Sequence, residues 1–338
     1  MSARLPYFTS LGMFIIDEIN FPDYKMDGIL GGGGTFAILG SRIILGSRDS
    51  DLCSWFVDIG NDCPREILKE LRILNTGGIF RFDDTRKCTR GWNGYNQNQF
   101  REFKYLTEKK RVTMADLKQY PVMLQSKSFH FVCSPRRCIS LIEELHEISE
   151  DLGIVVSSPV IAWEPIPDCC SPRNLQETLD ILGNIDIFTP NAAEAAMFYG
   201  EDEPVDKPNC ERIASSFLKY MTKPDSGIVL RCGPLGCVVV TKNNPKPMWF
   251  PAYHKGEAKI IDPTGCGNTF VGAFATEFVK SRKNFKLAAV KATIAAGLCL
   301  EQHGLPKLTV GDNGEDLWNG EAFDTMLKKY YIENPKLA

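Results

Sequence analysis

The residues best suited to chemistry form a glycine turn in the last quarter of the chain. A short β-type run at 259–261 leads into Gly265, Cys266 and Gly267, and a helix with phenylalanines on one face follows. The free N–H groups and the dipole of a helix N-terminus attract anions, and glycines let an anion approach the backbone. Asn268 is expected at or near the N-cap, a position that favours Asn. The pattern predicts an anion-binding turn; a glycine turn that only begins a packed helix is the alternative.

Two side chains in or beside this turn have chemistry of their own. Asp262 is the nearest carboxylate, and it could accept a proton or hold Mg²⁺ through water, or it could simply stabilise the turn. Cys266 lies where a helix N-terminus lowers a thiol pKa, so it is either a modification site or a small residue that fills the turn. A zinc-protease reading of His146 and Glu147 fails because the second histidine is missing: position 150 is Glu.

The elements around this turn alternate between two kinds of periodicity. Apolar runs predict strands at 11–16, 128–133, 154–160, 185–189, 227–231 and 237–241, and apolar residues at helical spacing predict helices at 136–152, 173–182 and 211–221. Such alternation is typical of an α/β fold with a mostly parallel sheet. The segment 79–113 breaks the pattern because it is polar and rich in aromatic residues. It is interpreted as part of a strand-rich lid, and a long surface insertion is the alternative.

Composition excludes several classes of protein. The chain has 338 residues, a formal net charge of -3 and no apolar run of the length a membrane span needs. Without a basic excess, direct nucleic-acid binding is not expected. The twelve cysteines are scattered and no secretory leader is recognised, so we expect reduced thiols and a cytoplasmic location.

The turn is one of several ordered motifs that resemble the ribokinase-like (PfkB) carbohydrate kinases. The segment from Asp262 to Gly272 is similar to the family's C-terminal signature, and five further motifs agree in order. These are 12–17 (first strand), 31–46 (N-terminal glycine signature and helix), 56–62, 186–194 (the Pro-Asn-x-x-Glu element) and 231–236 (nucleotide loop). The variant Asp-Pro-Thr-Gly-x-Gly-Asn further resembles the fungal "maintenance of killer" branch of the family. The resemblance implies one ribokinase-like domain over 1–338, a three-layer sandwich with a central, mainly parallel sheet and a small β lid from about 17–30 and 81–112.

The resemblance also implies ATP and Mg²⁺ as cofactors and a sugar or similar alcohol as substrate. Gly265, Cys266 and Gly267 would form the anion hole. The nucleotide side would be formed by Arg231, Gly233, Gly236, Asn191, Glu194 and His303, with Glu194 organising the metal through water. His303 could equally be a surface histidine. The substrate side would be formed by Asp17, Gly32, Gly33, Gly34 and Ala37.

Several of these positions depart from the family pattern. Asn268 stands where the family has its catalytic Asp, and an amide cannot act as a general base. Arg231 replaces the threonine of the nucleotide loop, and Ala37 occupies the slot of a substrate-binding Asn. The expected function is therefore ATP-dependent phosphorylation of an alcohol with impaired or altered base chemistry. The alternative is an inactive pseudokinase that binds a nucleotide or metabolite and acts through protein partners; a homodimer through the lid is left open.

Overall fold

The computed structural model describes residues 4–95, 101–256 and 259–338. Its strands are β1 (Phe8–Ser10), β2 (Ile15–Asn20), β3 (Lys25–Gly31), β4 (Cys53–Gly60), β5 (Gly77–Asp83), β6 (Arg90–Tyr95), β7 (Arg101–Tyr105), β8 (Ser128–Cys133), β9 (Val160–Pro165), β10 (Ile187–Phe188), β11 (Gly227–Arg231), β12 (Cys237–Thr241), β13 (Met248–Phe250), β14 (Leu308–Val310), β15 (Asp316–Trp318) and β16 (Glu321–Ala322). Its helices are α1 (Gly33–Leu45), α2 (Arg65–Ile73), α3 (Met114–Leu117), α4 (Pro121–Leu124), α5 (Pro135–Asp151), α6 (Leu175–Ile181), α7 (Ala192–Met197), α8 (Lys207–Leu218), α9 (Cys266–Lys280), α10 (Phe285–Cys299) and α11 (Phe323–Glu333).

The central sheet of the described chain has nine strands in the order β13-β12-β11-β10-β9-β8-β1-β4-β5. All neighbours from β11 to β5 pair in parallel, and the two pairs β11–β12 and β12–β13 are antiparallel. The inner strands are buried on both faces, as in parallel sheets covered by helices, while the edge strands β5 and β13 are only partly buried. The predicted α/β fold with a mainly parallel sheet is confirmed, and the carboxyl ends of β8 to β11 meet at one edge.

Two separate cores cover the two faces of this sheet. Alternate residues of a strand point to opposite faces, so Val229 of β11 packs into the core that α1, α9 and α10 share. Its neighbours Ile228 and Leu230 pack into the other core, with α5, α7 and α8. The three layers of the sandwich thus follow from the period-2 pattern of the strands.

A second sheet of four strands, in the order β3-β2-β6-β7, lies outside the central sheet. It contains most of the segment 17–30 and part of 81–112. The predicted second segment starts too early, because residues 77–83 form β5, which pairs with β4 in the central sheet. Residues 96–100 of that segment lie outside the described part of the chain. A third, small sheet joins β14, β15 and β16.

Three predicted strands, at 128–133, 227–231 and 237–241, have the bounds of β8, β11 and β12, and 185–189 contains β10. Three other expectations are wrong. The run 11–16 joins the end of β1 to the start of β2, which belong to different sheets. The strand at 154–160 begins only at its last residue, since Val155 is 87% exposed. Residues 259–261 form no strand, and Ile261 is exposed.

The remaining observations concern the state of the cysteine thiols and the length of the helices. All twelve cysteines are free thiols, most of them buried. None of the helices in the described ranges is both long and apolar enough to cross a bilayer.

Candidate functional site

The glycine turn is held in shape by Asp262 and by the packing of Phe36. Asp262 Oδ1 accepts a hydrogen bond from the Thr264 N–H at 2.8 Å. Gly265 follows with a φ of 79° and is the N-cap of α9. A left-handed φ favours glycine, and a Cβ on Gly265 would overlap the Phe36 ring of α1. Because the carboxylate of Asp262 is 2% exposed and bonded to the turn, its geometry suits the stabilising role better than that of a free base.

The two helices that begin at the site pack against each other through glycine. A Cβ on Gly272 of α9 would overlap the Ala37 carbonyl oxygen of α1, and one on Gly40 of α1 would overlap the Thr269 carbonyl oxygen of α9. Ala37 is fully buried in this contact. The structure therefore places Ala37 between the two helices. Gly33, the first residue of α1, lies beside Asn268: a Cβ on it would be 3.3 Å from Asn268 Nδ2.

Asn268 is the third residue of α9, near its N-cap as expected, but Gly265 is the N-cap and no side chain caps the helix. The Asn268 side chain turns away from the helix end, and Nδ2 donates a hydrogen bond to Glu164 Oε2 at 2.8 Å. Glu164 lies near the end of β9, the strand whose position was mispredicted from sequence. An amide that donates to a buried carboxylate holds its neighbour in place but supplies no proton acceptor.

Glu164 belongs to a charged cluster at the carboxyl ends of β8 to β11. Arg231 Nη2 lies 2.8 Å from Glu164 Oε1 and 3.5 Å from Glu194 Oε2, and it donates to the Thr189 carbonyl oxygen at 3.0 Å. His130 Nε2 lies 3.5 Å from Glu164 Oε2. A Cβ on Gly267 would overlap Arg231 Nη1, so the guanidinium covers the first turn of α9.

The two carboxylates of this cluster titrate in opposite directions. Burial alone would raise the pKa of Glu164, but Arg231, His130 and Asn268 together outweigh it and lower that pKa. Burial raises the pKa of Glu194 to about 7, and Arg231 only partly offsets it. Glu164 is therefore a weak base at neutral pH, and the charge of Arg231 is balanced mainly by Glu164.

Asn191 and Glu194 form two reciprocal hydrogen bonds at the start of α7. The Asn191 side chain accepts the Glu194 N–H at 2.7 Å, and Glu194 Oε2 accepts the Asn191 N–H at 2.8 Å. This reciprocal pair is a capping box. The Pro-Asn-x-x-Glu element thus has a structural role in this chain, whatever else it binds.

Glu194 Oε2 is not free to hold a magnesium ion as the site is arranged. Mg²⁺ takes oxygen ligands and is bound through carboxylates. Glu194 already faces the capping N–H and the cation Arg231.

The nucleotide loop follows Arg231 directly. Gly233 has a φ of 51° and Gly236 a φ of 92°, and the Gly236 N–H donates to the Gly233 carbonyl oxygen at 2.9 Å. A Cβ on Gly236 would overlap the Phe250 carbonyl oxygen, so glycine is needed there, whereas Gly233 faces open space. Of this loop, it is the Arg231 side chain that reaches α9.

Asp17 and the glycines 31–34, which the sequence predicts to bind substrate, lie around the start of α1 and the strand β2. Asp17 of β2 is 3% exposed, and its carboxylate lies against two glycines: a Cβ on Gly31 would overlap it and one on Gly91 would be 2.6 Å from Oδ1. Gly32 is the N-cap of α1 with a φ of 99°. A Cβ on Gly34 would overlap the Gly12 carbonyl oxygen.

His303 connects the glycine turn to the four-stranded sheet. His303 Nδ1 lies 3.0 Å from Asp262 Oδ2, and its ring meets the Phe21 ring edge-on with centroids 5.6 Å apart. Phe21 lies in the turn between β2 and β3. His303 is thus a contact between the turn and the second sheet and not an isolated surface histidine.

The comparisons with known proteins agree with this geometry. The model of the "pfkB family carbohydrate kinase" matches residues 137–308. Protein MAK32 of Saccharomyces cerevisiae is 36% identical over 339 residues, covering 96% of this chain and 91% of its own length. The chain belongs to the PfkB family. An uncharacterized protein of Schizosaccharomyces pombe, C16C9.01c, is also 36% identical, over 96% of this chain and 92% of its own. The resemblance to the fungal branch of the PfkB family is confirmed.

Solved structures of PfkB-type kinases show the same fold. A ribokinase from Giardia lamblia has a TM-score of 0.66 at 17% identity, covering 88% of this chain and 95% of its own. A putative Ribokinase II from E. coli in complex with ATP and Mg²⁺ has a TM-score of 0.65 at 15% identity, covering 96% and 100%. An adenosine kinase from Schistosoma mansoni in complex with 2-fluoroadenosine has a TM-score of 0.67 at 14% identity, covering 89% and 97%. The predicted ribokinase-like fold is confirmed.

Sequence reasoning missed two members of this PfkB-type site, Glu164 and His130. Both belong to parallel strands, β9 and β8, and both are buried. A charged residue after the apolar run 160–163 was the available signal for Glu164. The strand predicted at 154–160 ends before Glu164, so the pattern does not assign this residue to a strand. His130 sits inside an apolar strand, where sequence alone gives no partner for it.

Proposed function

We propose that this PfkB-family chain is a kinase-like binding protein in which phosphoryl transfer is residual. Its ligand is a small hydroxylated molecule, a nucleotide or a metabolite, held between the four-stranded sheet and the carboxyl ends of the central strands. The observation that carries the proposal is the hydrogen bond from Asn268 Nδ2 to Glu164 Oε2. At the position where the family has its base, this chain has a donor.

The neighbouring carboxylates of Glu164 and Asp262 also support residual phosphoryl transfer. Glu164 is the nearest carboxylate to that amide, but its ion pair with Arg231 at 2.8 Å lowers its pKa. A carboxylate that holds its charge so firmly takes a proton poorly. Asp262 is engaged by the Thr264 N–H and by His303. General-base assistance contributes about 10²–10⁴-fold, and the rate of this chain should be lower by that factor.

The second candidate is an active phosphotransferase that acts on a sugar or similar alcohol with ATP. The glycine turn favours it, because Gly265 still begins the 15-residue helix α9 in the way an anion hole requires. In that case another group takes the proton from the substrate hydroxyl.

Turnover separates the two candidates. Purified protein is assayed for ADP release across sugars, nucleosides and vitamin alcohols, with ligand binding followed in parallel by calorimetry. The proposal expects binding of at least one compound and a rate below about 1 s⁻¹, the low end of kinase turnover. A rate above that value rejects the proposal in favour of the active enzyme. Failure of every compound and of ATP to bind at millimolar concentration rejects both.

A matched pair of variants refines the result. Asn268→Asp restores a carboxylate at the base position, and Asn284→Asp makes the same chemical change at the exposed N-cap of α10. For a weakened kinase, Asn268→Asp raises turnover by roughly 10²-fold or more and Asn284→Asp leaves it unchanged. For a binding protein whose substrate pocket has also changed, neither variant raises turnover.

A further inference from the structure

Arg231 occupies a cation position between two buried carboxylates. Nη2 lies 2.8 Å from Glu164 Oε1 and 3.5 Å from Glu194 Oε2. Its side chain is 13% exposed, and those of the two glutamates are 7% and 8% exposed. Nη1 lies beside Gly267, where only a residue without a Cβ leaves room. The guanidinium therefore lies between the acidic groups and the N-terminus of α9.

A metal ion bound to Glu164 Oε1 and Glu194 Oε2 would compete with the Arg231 guanidinium for the same two oxygen atoms. Hard divalent cations are held by carboxylate oxygens, and here Glu164 Oε1 and Glu194 Oε2 already face the guanidinium of Arg231. Arginine keeps its charge at every accessible pH and its planar fork suits carboxylates. A second cation placed against Arg231 would be repelled in a site of low dielectric.

We infer that Arg231 is a built-in cation that takes the place of a divalent metal ion at Glu164 and Glu194, so that the site excludes metal. The inference deepens the proposed function, on which it rests for the choice of site, but it concerns metal alone and needs no substrate. It predicts that any nucleotide bound by the wild-type protein binds equally well with Mg²⁺ or with EDTA.

The test is a titration with Mn²⁺ alone, followed by the electron paramagnetic resonance signal of the free ion. Wild type and Arg231→Lys, which keeps a cation, should bind no Mn²⁺ at submillimolar concentration. Arg231→Ala leaves the two carboxylates uncompensated and should bind Mn²⁺ at least about tenfold more tightly than wild type. Adding Glu194→Gln to Arg231→Ala should abolish the gain. A purely structural ion pair predicts no gain of metal binding in any variant.

Two results would overturn the inference: submillimolar Mn²⁺ binding by the wild type, or a folded Arg231→Ala variant that gains none. Circular dichroism establishes folding. If Arg231→Ala does not fold, Arg231→Gln, which keeps length and donors without charge, is titrated instead and judged by the same criterion. An absence of ligand binding in the activity panel would reject the proposed function and leave this inference standing. A folded Arg231→Ala variant that gains no Mn²⁺ binding would reject this inference and leave the proposed function standing.

Discussion

Replacing Asn268 with aspartate places a second carboxylate beside Glu164. The hydrogen bond that joins the two side chains is 2.8 Å long, and two unit charges at that distance repel by about 6 kcal/mol at an effective dielectric constant near 20. The folded protein avoids this by keeping one proton on the pair. At pH 7 that proton costs about 4 kcal/mol for a carboxyl with an ordinary pKa near 4. Because Arg231 offsets part of the repulsion, we expect Asn268→Asp to lower the free energy of unfolding by about 2–4 kcal/mol at pH 7.

The pH dependence gives this prediction its sign. In the folded variant the pKa of the pair is raised above the unfolded value, so its contribution is fully present below about pH 4 and is lost as the pH rises through the folded pKa. The difference from wild type should therefore shrink towards pH 5 and grow towards pH 7.5. Urea unfolding at the two pH values measures it.

The double variant Asn268→Asp with Glu164→Gln is the matched control. It exchanges the amide and the carboxylate across the same hydrogen bond and keeps the net charge of the cluster, so it should recover at least half of the lost stability. Asn284→Asp should change the stability by less than about 0.5 kcal/mol, since Asn and Asp cap helices equally well. The reasoning is refuted if Asn268→Asp is as stable as wild type at pH 7.5, or if the double variant is no more stable than the single one.

Two further predictions concern the helices and Glu194. Gly272→Ala should lower the free energy of unfolding by about 3 kcal/mol, because its Cβ would overlap the Ala37 carbonyl oxygen. Gly183→Ala is the control: its Cβ meets nothing closer than 3.5 Å, so it should be nearly neutral. Thermal unfolding compares the two variants, and equal losses of stability would contradict the packing argument. The raised pKa of Glu194, about 7, contributes stability that is complete below about pH 4.5 and lost as the pH rises through 7. Glu194→Gln should remove that loss, so the variant gains on wild type by up to about 3 kcal/mol between pH 4.5 and 7.5; an unchanged pH profile would contradict it.

The sequence was sufficient where local pattern and burial coincide. The strand at 227–231 alternates apolar residues that the structure buries in both cores, and the helix at 136–152 differs from α5 by one residue at each end. At 11–16 one apolar run serves two sheets, since Gly12 turns the chain where a Cβ would come 2.5 Å from the Gly34 nitrogen. Pattern alone cannot reveal a break that a distant helix imposes.

The site shows the same limit. The turn at Gly265 and the replacement at position 268 were readable because motif order fixed their place. The partners of Asn268 and Arg231 were not, because Glu164 and Glu194 lie 67 and 37 residues from Arg231 along the chain and meet it only through strand order. Ion pairs between strands that are remote in sequence have no characteristic residue spacing, so a sequence pattern cannot predict them.

The contact between α1 and α9 has a consequence for how such a protein can change over time. The two helices meet through backbone atoms at Gly40 and Gly272, and their first turns, which begin at Gly33 and Cys266, meet at Asn268. The spacing of those two helix ends is therefore set by main chain and does not depend on the charged side chains above it. Replacement of a base by an amide or of a hydroxyl by a guanidinium alters what the site can do while the frame keeps its shape. A change in the chemistry of the site is then separable from loss of the fold.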